Sequence, residues 1–183
     1  MAPHRWFCRN DDDWDAIVQR LKLTPCPHCQ VVGALIRHGS LHGFDETTPR
    51  MTRRAHRLFC SNRHARPGCG RTVAVWFADK IRRLGLTTTG LYRFLRRAVA
   101  DGLRAASRGC RGHRSDRTWC RIWQRFRRGQ STLRTALLRL CPPPHLPEEH
   151  RPAAHVLAHL QAAFPDASCP IAAFQHSLRT FFV

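Results

Sequence analysis

The sequence predicts an α+β chain, a small β-sheet followed by a mainly helical region, and three observations predict it. Between residues 25 and 77, short β-prone runs are punctuated by glycine and cysteine. Between residues 78 and 140, apolar residues recur at helical spacing. The basic charge is also confined to one part of the chain. Residues 50–140 hold 23 arginines and Lys80 against three carboxylates, Asp79, Asp101 and Asp116, within a net charge of +19 over 183 residues. Both ends are close to neutral.

Taken in order, residues 1–24 carry an acidic patch, Asp11-Asp12-Asp13-Trp14-Asp15, leading into a short helix that Asp13 is expected to cap. Residues 25–77 offer strands at 31–38, 55–60 and 72–77. In 78–102 an apolar stripe of Ile81, Leu84 and Leu86 is interrupted by Thr87-Thr88-Thr89-Gly90 and restarts at Leu91, Leu95 and Val99. Residues 103–141 read as a second basic helical unit, with helices at 115–128 and 131–140 ended by Pro142-Pro143-Pro144. Residues 142–183 form an apolar helical tail, with two short helices around Val156-Leu157-Leu160 and Ile171-Phe174-Leu178.

A positive field of this size attracts a polyanion, and nucleic acid is the commonest one inside a cell. Codon bias in a GC-rich genome accounts for arginine over lysine but not for the confinement of the charge. Residues 1–13 contain no apolar core of signal-peptide length, and no apolar run approaches the roughly 20 residues of a membrane span. The expected setting is intracellular.

The nine cysteines are odd in number, and their paired spacing suits metal ligation in a reducing compartment. Cys26-Pro27-His28-Cys29 forms a turn that presents two thiolates to one cation, and Cys60 and Cys69 complete a tetrahedral set. Eight residues separate the second pair where two are usual, so Ser61 to Gly68 would form an inserted loop. His64 is an alternative to Cys60 as fourth ligand. With four protein ligands no position stays open, and the ion, zinc, has a structural role. Cys110, His113 and Cys120 fit no regular ligand spacing; core packing or a free thiol is expected there. Cys8, Cys141 and Cys169 receive no function.

In the helical half, Leu86 to Arg97 suggests the turn and second helix of a helix-turn-helix, with threonine at the cap and Tyr92, Arg93, Arg96 and Arg97 available to DNA. In the next helix, Trp119, Ile122, Trp123 and Phe126 share one face, while Arg114, Arg117, Arg121, Arg125 and Arg128 share another. An arginine row without carboxylates at i±4 repels itself unless phosphates or solvent compensate.

The order Cys26-Pro27-His28-Cys29, Arg57-Leu58-Phe59-Cys60, Gly68-Cys69-Gly70-Arg71-Thr72 and then Leu86 to Arg97 resembles the zinc-ribbon and helix-turn-helix DNA-binding regions of bacterial insertion-sequence transposases and their accessory proteins. Thr118-Trp119 and Trp123-Gln124-Arg125-Phe126 look like a second such unit. The resemblance implies a zinc-ribbon sheet, one or two helix-turn-helix units and recognition of double-stranded DNA. It also implies a nucleoid-associated place in the bacterial cytoplasm, beside a transposase or another mobile-element protein. That family's catalytic domain uses an acidic triad on an RNase-H-like fold, for which this chain has no room. The expected protein is an accessory or regulatory factor, not an enzyme. Two alternatives stand beside it: an RNA-binding module, and an adaptor that recruits a transposase through the C-terminal helices. His155 and His159, with His145 and His150 nearby, have metal-binding spacing but lack the glutamate of a hydrolase motif.

Overall fold

A computed structural model describes residues 6–44, 46, 50–110, 114–147 and 151–183. Its strands are β1 (Trp6–Cys8), β2 (Leu35–Gly43), β3 (Thr52–Cys60) and β4 (Thr72–Phe77). Its helices are α1 (Asp11–Gln19), α2 (Thr88–Ala100), α3 (Leu103–Gly109), α4 (Asp116–Leu137), α5 (Pro152–Ala163) and α6 (Pro170–Leu178), with a 3-10 turn at Leu21–Leu23. The fold is α+β.

The strands form one mixed sheet in the order β1-β4-β3-β2, antiparallel except where β1 runs parallel to β4. β2 begins four residues after the start of the expected 31–38 strand and runs on to Gly43, while β3 begins three residues before the expected 55–60. A bulge between Arg37 and Ser40, with Gly39 at φ +86°, lets β2 stay in register along that length. Strand β1 is absent from the sequence expectation, because three residues are too few to display alternation. It joins the sheet by pairing Trp6, Phe7 and Cys8 with Val75, Trp76 and Phe77.

The first helix starts as expected, but by a different residue. Asn10 is the cap, accepting from the Asp13 N–H at 2.9 Å, while Asp13 lies inside the helix and binds Arg9 at 2.8 Å. Trp14 then lies over the sheet, stacked on His56 with ring centroids 4.0 Å apart. On the opposite face Phe181 meets Phe7 and Trp76 edge-on, at 5.0 and 5.6 Å. The sheet is thus covered by residues from both ends of the chain.

Residues 78–87 are not helical, which corrects the expected helix-turn-helix in 78–102: no helix precedes α2 there. The segment turns back on itself, with Lys80 bridged to Thr87 and the Thr88 N–H donating to Asp79. Buried Arg54 holds the loop, its guanidinium donating to the carbonyls of Phe44, Ile81 and Leu84 at 2.7–2.9 Å. Thr87 does cap α2, accepting from the Gly90 N–H at 3.0 Å.

The two helices expected at 115–128 and 131–140 are one, α4, because Gly129 leaves the ladder intact and nothing else breaks it. The two C-terminal helices form where expected. Their apolar residues do not stand free as a tail: Val156, Leu160, Ile171 and Phe174 are buried in the same core as Phe94, Trp119 and Phe126. Gln175 ties α6 to the start of the 78–87 loop, just after β4, by donating to the Ala78 carbonyl at 2.7 Å. Among the described residues, no helix is long and apolar enough to cross a membrane.

Candidate metal centre and nucleic-acid interface

The four cysteines expected as ligands converge. The Sγ atoms of Cys26, Cys29, Cys60 and Cys69 all lie within 4.8 Å of one another. The pairs Cys26–Cys69 and Cys29–Cys60 stand 3.9 and 3.6 Å apart. Four sulfurs around a zinc ion at 2.3 Å would be separated by about 3.8 Å, so the cluster is close to that size without rearrangement.

Local backbone geometry explains the convergence. After Cys26 the chain makes a tight turn: the Gln30 N–H donates to the Cys26 carbonyl at 2.8 Å, and the Cys26 N–H to Val31 at 3.0 Å. The His28 N–H points at the Cys26 sulfur, 3.4 Å away. At the second pair, the eight-residue insertion is closed at its base, where the Gly68 N–H donates to the Ser61 carbonyl at 3.1 Å. A Cβ at Gly68 would run into that same carbonyl, so glycine is required at the neck. With the loop pinched off, Cys60 and Cys69 behave as a short-spaced pair, and the Cys69 N–H donates to the Cys60 sulfur at 3.3 Å. His64 sits in the exposed loop outside the cluster.

The thiols differ before any cation arrives. The Val31 backbone N–H holds Cys29 down at about 7, whereas burial pushes Cys60 up to about 12. A divalent cation at the centre favours the thiolate at every position and overrides this difference. The arrangement suits a closed, structural site. Cys110 and Cys120 lie outside it, and His113 is outside the described residues. Cys8 is buried with its thiol pushed up to about 12 by desolvation, which makes it unreactive.

The arginines expected to face nucleic acid separate into three groups. On α4, Arg117, Arg121, Arg125 and Arg128 are exposed, and the opposite face is anchored by buried Trp119, Ile122 and Phe126. The one carboxylate of the helix, Asp116, precedes the row. Arg114 does not belong to it. Its guanidinium donates to the Gly85 carbonyl and rests 5.9 Å over the Trp119 ring, so its charge closes the helical core onto the 78–87 loop.

On α2, Arg93, Arg96 and Arg97 are exposed, but Tyr92 is half-buried and its hydroxyl donates to Gln161 on α5 at 2.7 Å. Arg97 lies 4.0 Å from Asp101. These residues border a cleft between α2 and α5, so their surroundings are unlike those of the α4 row.

His159 is buried, with Nε2 2.9 Å from the Cys141 carbonyl, and is therefore occupied away from any pairing with His155. His150 lies outside the described residues. Sequence reasoning missed Arg54, His56 and Gln175, which organise the interior. Neighbouring arginines in a strand give no sign of which one turns inward. Comparison of the chain with protein-family models, with curated proteins and with solved structures finds no match in any of the three.

Proposed function

We propose that the protein binds double-stranded DNA through the arginine face of α4, on a scaffold whose sheet is held by a structural zinc ion at Cys26, Cys29, Cys60 and Cys69. The single observation that carries this reading is the exposed row Arg117, Arg121, Arg125 and Arg128, set on a helix whose other face is locked into the core. The eleven residue steps of helix from Arg117 to Arg128 correspond to about 16 Å, at a rise of about 1.5 Å per residue. That is long enough to follow several phosphates, and a helix of this kind fits the major groove. Guanidinium forks supply charge-assisted bonds to phosphate and to guanine edges. The zinc ion would supply folding energy and no reaction step, since all four positions are protein thiolates.

An accessory or regulatory role in a mobile genetic element is part of the proposal. Its support is the resemblance in motif order together with the confined basic charge. No residue is given a catalytic role.

The test is duplex binding measured against salt concentration. The triple variant Arg117→Gln, Arg121→Gln and Arg125→Gln should lower the log–log slope by about one unit per lost phosphate contact, hence by about three. A slope equal to that of the unchanged protein would remove α4 from the interface. Single-stranded RNA titrated at matched salt distinguishes the RNA-binding alternative, which predicts tighter binding to the single strand than to the duplex.

A further inference from the structure

We propose that the cleft between α2 and α5 docks an acidic amphipathic helix of a partner protein. The cleft measures about 540 Å³, within the size range of ligand pockets. Its floor is apolar, built by Val99 and Ala100 of α2 and by Ala154 and Leu157 of α5. The two helices are tied to each other beside the cleft, where the Tyr92 hydroxyl of α2 donates to Gln161 of α5 at 2.7 Å.

The rim is basic. Arg93 and Arg96 are exposed beside the apolar floor, and Arg96 rests 5.9 Å over the Tyr92 ring. The one carboxylate in the lining, Asp101, lies by Arg97 and leaves Arg93 and Arg96 uncompensated by the cleft itself. A phosphate chain gains nothing from an apolar floor, whereas burial of apolar side chains is what drives a helix into a groove. An occupant with apolar anchors at i, i+3 or i+4 and carboxylates on either side matches both features. The rim charges then select the partner and speed its encounter. The α4 row has no such floor, so the two basic surfaces address different partners.

The probe is a fluorescein-labelled synthetic helix with leucine at i, i+3, i+4 and i+7, glutamate at the positions flanking that stripe and alanine or glutamine elsewhere, titrated with the full-length protein by anisotropy. The expected result is saturable one-to-one binding, weakened at least tenfold when lysine replaces glutamate or when the sequence is scrambled. Ala100→Trp, which places an indole in the cleft from an exposed position, should weaken binding at least tenfold while leaving metal content and duplex affinity unchanged. Arg93→Glu with Arg96→Glu should transfer the preference to the lysine peptide. Equal binding of acidic and basic peptides, or unimpaired binding by Ala100→Trp, overturns the proposal. So does a loss of duplex affinity in the double reversal as large as that of the α4 triple variant, because those arginines would then belong to the nucleic-acid surface. Absence of duplex binding by the unchanged protein sinks only the DNA reading.

Discussion

In the sheet half, ten buried residues make the hydrophobic core and three of them are cysteines, Cys8, Cys26 and Cys60. In the helical half, twenty buried residues pack together, and five are aromatic: Phe94, Trp119, Phe126, Phe174 and Phe182. The first core has half as many buried residues as the second, and ligand bonds to a cation can add to its apolar burial. The second contains enough buried apolar surface to stand on packing. With zinc bound as proposed, the two halves would be stabilised by different physics and should respond differently to the same perturbation.

The largest expected effect comes from the metal centre. Chelation, or Cys69→Ser, should release one zinc ion per chain and unfold the sheet, since structural zinc contributes on the order of 10 kcal/mol of apparent binding energy. Helical circular dichroism should persist in part while metal content falls. Full zinc occupancy in the variant would exclude Cys69 from the ligand set.

Next in size is Phe94→Ala. Phe94 is fully buried and stacked on Trp119 at 4.4 Å, so truncation should cost about 3–5 kcal/mol and lower the thermal midpoint without loss of zinc. Loss of zinc in this variant would show that the two cores do not stand separately.

Arg54→Met should cost less, about 3 kcal/mol, from carbonyls left without a donor. Because Arg54 belongs to β3 and its acceptors include Ile81 and Leu84, its loss should also loosen the coupling between halves. Calorimetry should then resolve two transitions, and a single sharp transition would assign the coupling to other contacts.

The smallest effect is pH-dependent. Burial under Trp14 lowers the pKa of His56, with Arg53 acting in the same direction and Asp11 against it. A histidine lowered in the fold favours the neutral ring. Its contribution is complete above the ordinary value of about 6.5 and is lost as pH falls through the folded pKa. The thermal midpoint should drop on acidification from pH 7.5 to 5.5, and His56→Gln should make that drop shallower. His176 is also lowered by burial and retains part of the slope. Identical slopes in both proteins would show that His56 does not couple folding to protonation.

The same contrast explains what could be read from the chain in advance. Cysteine spacing made the four-cysteine cluster legible, because two thiols on a tight turn is a local property. The aromatic face of α4 was legible for the same reason: Trp119, Ile122 and Phe126 follow the helical repeat and are buried together. The 78–87 loop was misread as helix because Ile81 and Leu84 have suitable spacing, while the contact that decides its path, Arg54, lies more than twenty residues away.

By itself the sequence determined the α+β class, the four-cysteine set, the apolar faces of the helices and the confinement of charge to residues 50–140. Each depends on spacing within a turn or two of chain, or on composition. Tertiary structure alone decided that Trp6–Cys8 would complete the sheet in parallel with β4, and that Arg54 and Arg114 would turn toward backbone carbonyls. It also decided that α2 and α5 would leave a basic-rimmed cleft between them. Those outcomes depend on which distant segments meet, where a partner far along the chain offsets the cost of burying a polar group.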